Sequence, residues 1–342
     1  MALVFSDSFD SYAATADLTT YRKWSLAASP WTWGSAFGRN GGGGMQVATT
    51  GGAVLKSRAG VFSSAVTCGG FWMKMTGGLP TGLANFLIFR DASDSALGFL
   101  RLTTGGFLNL NSVFGGSVAT GLINVCDGNW HWIETIIRHA VNSNQQLRVD
   151  GTQEWNGTLS AGNGTAANRF EFVSIASRTL SISWPIFYDD STGVPTSANF
   201  PLGPRQITTV RPQADSAVSF LTATGGSTHF NQVNEVAADG DATYVESAVS
   251  GDQDLYDFTA MGISPASITT VMMNAVVENP NPGVINFRQI VTSGATQTDG
   301  ASIAVPSSYQ AVQQSFPLDP NTGLAWASAS AVDSATLGIK VA

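Results

Sequence analysis

Short segments in which hydrophobic and polar residues alternate recur along the first 200 positions of the chain, with Gly, Asn or Asp between them. Side chains alternate between the two faces of a β-strand, so this pattern predicts an antiparallel β-sandwich. The predicted strands run from Leu3 to Phe9, Phe71 to Met75, Asn85 to Phe89, Leu97 to Leu102, Phe107 to Leu110, Trp130 to His139, Leu147 to Asp150, Arg169 to Ile175 and Leu180 to Tyr188.

The segment from Trp130 to His139 shows the alternation most clearly. One face would carry Trp132, Glu134, Ile136 and Arg138, and the other Ile133, Thr135 and Ile137. This predicts a strand with one face buried. Eight of the nine tryptophans, all but Trp326, lie in this first part of the chain. Large rings of this kind fill the gap of about 10 Å between two stacked sheets.

The second part of the chain repeats the alternating pattern with fewer aromatic residues, which predicts a second β-domain. Its predicted strands run from Gln206 to Val210, Ser267 to Val277, Ile285 to Val291, Gln310 to Phe316 and Thr336 to Val341. Two short helices are predicted, from Ala13 to Trp24 and from Trp326 to Ala331, and neither is long enough to carry a fold.

The junction between the two parts is marked by composition and by charge. Residues 191–205 contain three prolines, and their hydrophobic residues do not recur at a regular spacing, as is typical of a linker. Residues 1–200 carry 12 basic and 12 acidic side chains, whereas residues 201–342 carry 4 basic and 12 acidic ones. We therefore predict a boundary near Ala198, with one domain over residues 1–197 and an acidic domain over residues 198–342.

Composition excludes several classes of protein. Only 12% of the 342 residues are charged and 37 are glycines, which disfavours coiled coils and helical bundles. The net charge of -8 leaves no basic face to neutralise phosphates, so nucleic acid is not an expected partner. The start of the chain lacks the features of a signal peptide, and no apolar run is long enough for a membrane span. We expect a soluble protein made in a cytoplasm.

The two cysteines, Cys68 and Cys126, are far apart in the sequence and are too few for a disulfide framework or a structural zinc site. Two buried thiols are the simpler interpretation, because free cysteines are often buried. A bridge between them remains an alternative, since paired strands could bring them together, although a reducing compartment would oppose it.

Motifs for catalysis are absent from the sequence. There is no GxSxG or HExxH motif, and the three histidines have no visible nucleophile partner. Glycoside hydrolysis requires two carboxyl groups that flank one bond. Glu134, Glu154 and Glu171 each lack a second carboxylate two residues away, where both would face the same cleft. The sequence therefore predicts no enzymatic activity and no cofactor.

Acidic residues are densest between Glu235 and Asp257, where no basic residue intervenes. We interpret Asp239, Asp241, Asp252 and Asp254 as contacts to a partner protein with Arg or Lys on its surface. A pair of solvated acidic loops is the simpler alternative, because like charges repel and prefer water. A calcium site is the third.

Asp189 and Asp190 are adjacent at the end of a predicted strand. Such oxygen pairs can bind calcium, but calcium needs six to eight oxygen ligands, and no spacing of the EF-hand type is present. Aspartates at strand ends more often serve turns. No metal ion is therefore predicted, with calcium at this pair kept as an alternative.

Trp31 and Trp33 are two residues apart and would share one face of an extended segment. Paired tryptophans of this kind can form a stacking platform for sugar rings. They also occur inside β-sandwiches as core residues. Both interpretations stay open, with glycan stacking as the functional one.

Four segments of the first part resemble the strands of concanavalin A-like, laminin-G-like jelly rolls. They are Phe5 to Asp10, Asn129 to Glu134, Leu147 to Gly151 and Ile186 to Asp190. The resemblance covers about residues 1–195 and implies two antiparallel β-sandwiches, a jelly roll followed by a smaller sandwich. It carries over no catalytic residue, and the carboxylate motif of glucanases with this fold is missing.

The second part resembles the C-terminal region of virion proteins from tailed bacteriophages. The segments that carry this resemblance are FPLGPRQITTVRPQADS, DGDATYVES, GDQDLYDF, SSYQAVQQSFPLDPNTGLAW and the terminal LGIKVA. It implies a structural virion protein, located in the virion, whose partners are other virion proteins and copies of itself.

The resemblance leaves several roles open. A tail or tail-fibre component that anchors the fibre or contacts the host is the leading hypothesis. A decoration or cement protein on the head is the first alternative. The second is a carbohydrate-binding module that recognises host surface glycans through Trp31 and Trp33.

Overall fold

A computed structural model of the protein describes residues 2–20, 23–48, 51–112, 116–139, 143–159, 165–189, 200–281 and 283–342. Regular structure in these ranges is almost entirely antiparallel β-strand, so the all-β prediction is confirmed. The chain divides into two compact units, Met1–Ile207 and Thr208–Ala342. The predicted boundary at Ala198 lies outside the described residues. Within the described ranges, no helix is long and apolar enough to span a membrane.

The described part of the first unit contains fifteen strands. They are β1 (Ala2–Ser6), β2 (Trp24–Ala27), β3 (Thr32–Gly34), β4 (Gly44–Ala48), β5 (Val54–Ser57), β6 (Val66–Thr76), β7 (Ala84–Arg90), β8 (Ala96–Leu102), β9 (Phe107–Ser112), β10 (Gly116–Asn124), β11 (Trp130–Arg138), β12 (Ser143–Val149), β13 (Thr152–Leu159), β14 (Arg169–Val173) and β15 (Thr179–Asp189).

These strands form two antiparallel sheets. Sheet A has the order β13-β12-β11-β6-β15-β4-β3, and β1 also pairs with β15. Sheet B has the order β10-β9-β8-β7-β14-β5-β2. Pairing between β11 and β6 runs without interruption from Trp130 opposite Lys74 to Arg138 opposite Val66. The register is therefore well defined at the centre of sheet A.

The inner faces of the two sheets share one hydrophobic core that is rich in aromatic rings. The ring centroids of Phe170 on β14 and Phe187 on β15 are 4.3 Å apart, which joins sheet B to sheet A. Trp24 is fully buried and meets Phe5 and Phe170 edge-on. Rings of this size bury about 150–250 Å² each, so a few of them fill the space between the sheets.

The outer face of sheet A is also covered, although alternation predicts one exposed face for the strand that begins at Trp130. Trp132 on β11 packs with Trp72 on β6 in a second hydrophobic cluster, while Ile133 faces the inner core. Phe200 and Leu202 belong to the same cluster and are 7% and 6% exposed. The prediction of a half-buried strand is therefore wrong, because a distant segment covers its outer face.

That covering segment is residues 200–207, which overlap the predicted linker. The N–H of Gly203 donates to Glu134 Oε1 at 2.9 Å, and Trp72 Nε1 donates to the Arg205 carbonyl at 2.9 Å. Burial raises the pKa of the Glu134 carboxyl, and the backbone N–H groups it accepts only partly oppose this. Residues 200–207 thus belong to the first unit, while residues 190–199 lie outside the described ranges.

Ten strands belong to the second unit. They are β16 (Pro212–Ser219), β17 (Thr222–Thr224), β18 (Tyr244–Glu246), β19 (Gln253–Phe258), β20 (Val271–Val277), β21 (Asn286–Ser293), β22 (Thr296–Asp299), β23 (Ile303–Ala304), β24 (Gln310–Phe316) and β25 (Thr336–Val341).

Sheet C, the main sheet of this unit, has the order β16-β19-β25-β21-β22, with β23 beside β21. Two further pairs, β17-β18 and β20-β24, form separate ribbons. Met273 of β20 and Phe316 of β24 pack with Val291 of β21 and Leu337 of β25 in one cluster. The β20-β24 ribbon thus lies against sheet C as the second layer of a smaller sandwich.

The first helix, α1 (Asp17–Thr20), is shorter than the predicted span from Ala13 to Trp24. The Asp17 carboxylate accepts two backbone N–H groups that precede the helix, those of Ala13 and Ala14, at 2.7 and 2.8 Å. These bonds close a turn in front of α1, and the last predicted residue already belongs to β2.

The second helix, α2 (Ala329–Asp333), begins three residues later than predicted. Ser328 is its N-cap and accepts the N–H of Ala331 at 3.2 Å, which fixes where the helix can start. The strand predicted from Gln206 to Val210 is absent. The first two of these residues belong to the segment that covers sheet A.

Candidate functional site

The two tryptophans predicted to stack on glycans are integrated into the first unit. Trp31 is 2% exposed, and its Nε1 donates to the Ala53 carbonyl at 3.0 Å. Trp33 is half-buried, packs on the core, and donates Nε1 to the Phe9 carbonyl at 2.7 Å. The stacking prediction is therefore wrong for Trp31, which has no ring face free for a sugar. Only part of the Trp33 ring is accessible.

Asp254, predicted as a partner contact, is fully buried on β19. Its Oδ1 accepts the N–H groups of Phe220 and Leu221 at 2.7 and 2.9 Å. Its Oδ2 accepts the Tyr256 hydroxyl at 3.0 Å and lies 2.7 Å from His229 Nδ1. The prediction is wrong for Asp254, because these four bonds make the carboxylate an internal anchor of the second unit.

The other three predicted contact residues keep some exposure. Asp239 accepts the N–H and hydroxyl of Thr243, Asp241 accepts the Tyr309 hydroxyl, and Asp252 accepts the Ser247 hydroxyl. Their contact with a partner stays a prediction.

The remaining candidates from the sequence are the pair of aspartates considered for calcium and the two cysteines. Asp189 is 7% exposed, and its Oδ2 accepts the Ser63 N–H and hydroxyl at 2.8 and 2.7 Å, while Asp190 lies outside the described residues. Among the described residues, no group of three or more His, Cys, Asp or Glu side chains could hold a metal ion. Cys68 and Cys126 are both buried and no disulfide joins them, so the alternative of a bridge between them is not realised.

His131 lies between two carboxylates at one end of the first unit. Its Nδ1 is 2.7 Å from Asp150 Oδ2, and its Nε2 is 2.9 Å from Asp127 Oδ1. Burial alone would lower the pKa of His131, but the hydrogen bonds to Asp127 and Asp150 outweigh it and leave the pKa raised. This arrangement ties the turn before β11 to the turn after β12, and we assign it a structural role.

His229 has a hydroxyl and a carboxylate beside it, a combination that the sequence did not reveal. Ser219 Oγ and Asp254 Oδ2 lie 2.9 and 2.7 Å from His229, but both contact the same nitrogen, Nδ1. A catalytic triad requires the serine and the carboxylate on opposite ring nitrogens, so that the proton can pass through the imidazole. The three residues therefore do not form such a relay.

Polar side chains also line the outer face of sheet B, which we call the sheet B face. Two rows of directly paired residues cross it. The first row is Asn85, Arg101, Asn109 and Thr120, on β7 to β10. The second is Lys56, Glu171, Ile88, Phe99 and Asn111, on β5, β14, β7, β8 and β9. At a strand spacing of about 4.8 Å, the second row spans about 19 Å.

Hydrogen bonds and ring stacking hold the first row in place. Arg101 Nε donates to Asn85 Oδ1 at 2.6 Å, and the Arg101 guanidinium lies 4.9 Å from the centroid of the Phe99 ring. Asn109 Nδ2 donates to the Thr120 hydroxyl at 3.3 Å. The guanidinium is thus fixed in direction over an aromatic ring, and an amide lies on the strand next to it.

The sheet B face continues into a group of ion pairs. Arg90 Nη2 contacts Glu171 Oε1 at 2.5 Å, and Lys56 Nζ lies 3.5 Å from Glu171 and 3.0 Å from Asp94. Arg169 lies 3.8 Å from Asp94. Partial burial alone would raise the pKa of Asp94, but Lys56, Arg169 and Arg90 outweigh it and lower that pKa. Three cations therefore share two carboxylates.

Several residues of this face are buried although they point away from the core. Asn109 and Asn111 are each 5% exposed, and Phe99 is 9% exposed. No hydrophobic cluster of the described residues contains Phe99 or Ile88, in contrast to the apolar outer face of sheet A, which residues 200–207 cover. A ligand on this face can therefore reach only its less buried members, among them Lys56, Asn85 and Arg101, which are partly exposed.

Amide, guanidinium and aromatic groups on a fixed floor can bind a polyhydroxylated ligand. Amides both donate and accept, so a partly exposed amide such as that of Asn85 can pair with a hydroxyl group. Sequence reasoning missed this face, although polar residues at every second position, such as Asn109 in the predicted strand from Phe107 to Leu110 and Asn111 just after it, were the available signal. Pairing across strands could not be read from that signal.

No protein-family model and no curated protein matches this chain. Solved structures similar to it include an endo-beta-1,4-glucuronan lyase from the fungus Trichoderma reesei, at 12% identity and a TM-score of 0.43, over 56% of this chain and 98% of that one. A sialidase matches at 16% identity and a TM-score of 0.39, over 56% of this chain and only 19% of that one.

A third match is a carbohydrate esterase from the Shiga toxin-encoding bacteriophage phi24B, at 14% identity and a TM-score of 0.39, over 54% of this chain and 98% of that one. At such identities the likeness concerns the fold alone. The predicted fold, a jelly-roll sandwich followed by a smaller sandwich, is confirmed. The resemblance to phage virion proteins is not confirmed by these matches.

The prediction that the chain is not an enzyme is wrong in the light of this comparison. A sialidase and a glucuronan lyase are enzymes, and both are similar in fold to this chain.

Proposed function

We propose that the first unit binds carbohydrate on the sheet B face. The observation that carries the proposal is the pair of residue rows on neighbouring strands, in which the partly exposed Asn85 and Arg101 are directly paired. Sugars present hydroxyl groups at their edges and C–H groups on their ring faces. Amides and a guanidinium match the hydroxyl groups, and an aromatic ring matches an apolar ring face.

The length and the rigidity of the face support an oligosaccharide as the ligand. A row of about 19 Å is longer than one sugar ring, so several units of a chain can be contacted at once. The contacting side chains project from paired strands, and those positions lose little conformational freedom when a ligand binds. Binding then depends mainly on the fit of hydroxyl groups to fixed amides.

The double variant Asn85→Ala/Arg101→Ala tests the proposed site, because both side chains are partly exposed. We expect the wild type to bind members of a panel of immobilised neutral and anionic oligosaccharides, and the variant to bind at least about tenfold more weakly, because it loses several hydrogen bonds of about 1 kcal/mol each. Surface plasmon resonance measures both affinities, and circular dichroism checks the fold.

The matched control is Arg148→Ala, because Arg148 lies on β12 of the opposite sheet, where its guanidinium donates to the Gly151 carbonyl and to the Gln153 side chain. It should bind like the wild type. Equal binding by the double variant would refute the assignment to the sheet B face, and a wild type that binds no member of the panel would refute the proposed function.

We further propose that the chain is a component of a bacteriophage tail or tail fibre, with the second unit in contact with other virion proteins or with copies of itself. The support is the sequence resemblance of residues 200–342 to virion proteins and the excess of acidic residues there, which suits a partner with basic residues. A decoration protein of the head is the alternative within the virion.

Immunogold labelling of intact particles with an antibody to this chain tests the location. We expect gold at the tail. Gold spread over the head would replace the tail assignment with the decoration alternative, and particles without gold would refute both.

A further inference from the structure

We propose that the sheet B face takes an acidic saccharide, with Arg101 as the residue that binds a sugar carboxylate. This inference rests on the proposed function and names the class of ligand for the same site. It is carried by the balance of charge on the face and by the geometry of Arg101.

The sheet B face is locally cationic in a chain of net charge -8. Its charged side chains are Lys56, Arg90, Arg101 and Arg169 against Asp94 and Glu171. The two carboxylates are already shared by three of the cations. With Asp91 of the same turn as Asp94 included, four cations still outnumber three carboxylates among the described residues, and partial burial lowers the screening of such charges by water.

Arg101 is the cation of this face that no carboxylate neutralises among the described residues. Its Nε bonds to the Asn85 side-chain oxygen at 2.6 Å, and its guanidinium lies against the Phe99 ring. These contacts fix the plane of the guanidinium, and within the described ranges no acceptor is bound to its terminal N–H groups. A planar guanidinium binds a carboxylate through two parallel hydrogen bonds, which a neutral hydroxymethyl group cannot form.

The neighbours of Arg101 fit the rest of an acidic sugar. Asn109 is directly opposite Arg101 on β9, and Asn111 is directly opposite Phe99 on the same strand. These three neighbouring side chains are 5–9% exposed and form the layer beneath Arg101, whereas Asn85, directly paired with Arg101 on β7, is partly exposed and can meet a sugar hydroxyl group. The remaining cations, Lys56 and Arg90, lie farther along the face, where a second acidic unit of the chain would come.

The test compares one acidic oligosaccharide with its neutral counterpart. The probes are an oligogalacturonate and the oligosaccharide made from it by reduction of its carboxyl groups to hydroxymethyl groups, so that linkage and length are unchanged. By isothermal titration calorimetry we expect the acidic chain to bind at least about tenfold more tightly at low salt. Added salt should weaken the acidic chain selectively, because it screens charge.

Two arginine variants locate the effect. Arg101→Gln should reduce the preference for the acidic chain to about twofold, because the paired hydrogen bonds to the carboxylate are lost. Arg148→Gln, which changes the same residue type on sheet A, should keep the wild-type preference.

The outcomes separate the two proposals. Equal binding of the acidic and the neutral chain would overturn the acidic preference and leave carbohydrate binding intact. A preference that Arg101→Gln does not reduce would overturn the role of Arg101. A wild type that binds neither these probes nor any member of the oligosaccharide panel would overturn the proposed function itself.

Discussion

Replacement of Asp254 by alanine is expected to unfold or strongly destabilise the second unit. The Asp254 carboxylate is fully buried and is the shared acceptor of two backbone N–H groups, the Tyr256 hydroxyl and His229 Nδ1. The change leaves all four groups without this acceptor. A buried donor without a partner costs about 1–3 kcal/mol, so the loss approaches the whole stability of a domain, which is about 5–15 kcal/mol.

Hydrogen exchange followed by mass spectrometry measures this effect on the full chain. Peptides from β16 to β19 should lose protection in Asp254→Ala, whereas peptides from the first unit keep theirs. Asp257→Ala is the control, since Asp257 lies on the same strand and is exposed. Unchanged protection of the second unit in Asp254→Ala would contradict the anchoring role.

Replacement of Asp7 by alanine is expected to produce the largest loss of stability in the first unit. Asp7 is 2% exposed and accepts hydrogen bonds from the Phe9 N–H, the Tyr12 hydroxyl and Trp24 Nε1 at 2.9, 2.7 and 2.8 Å. Lys23 Nζ lies 3.4 Å from it. The variant leaves this largely buried ammonium unpaired, and breaking a buried ion pair costs about 3–5 kcal/mol.

Urea unfolding monitored by tryptophan fluorescence measures this loss, because eight of the nine tryptophans lie in the first unit. The midpoint should fall markedly in Asp7→Ala. Asp94→Ala is the control: the Asp94 side chain is 48% exposed, and exposed ion pairs contribute at most about 1 kcal/mol. If the urea midpoint of Asp7→Ala differs from that of the wild type no more than the midpoint of the control does, the role of Asp7 is refuted.

Asp254 and Arg101 show why the sites were harder to predict than the fold. The sequence places Asp254 in an acidic run, and like charges in sequence usually lie in water. In the structure it lies on a central strand of sheet C, where backbone N–H groups from another segment surround it. Arg101 is one polar residue among many in the sequence, and it becomes a site only beside Phe99, Asn85 and Asn109.

Residues 200–207 illustrate the same limit for domain organisation. Prolines and the absence of hydrophobic periodicity are typical of a linker. Local composition, however, carries no information about which surface a segment will cover. Phe200 and Leu202 nevertheless bury their side chains against Trp72 and Trp132, because the outer face of sheet A is apolar and would otherwise be exposed to water.

The sequence by itself determined the all-β class, most of the strands and the division into two parts, because alternation along a strand is a local property that follows from backbone geometry. Only the tertiary structure decided which outer face is covered, where Asp254 lies and which residues form the sheet B face. Those features depend on the register between strands that are distant in the sequence. Register is set by the packing of the whole sandwich and by no short stretch of the chain.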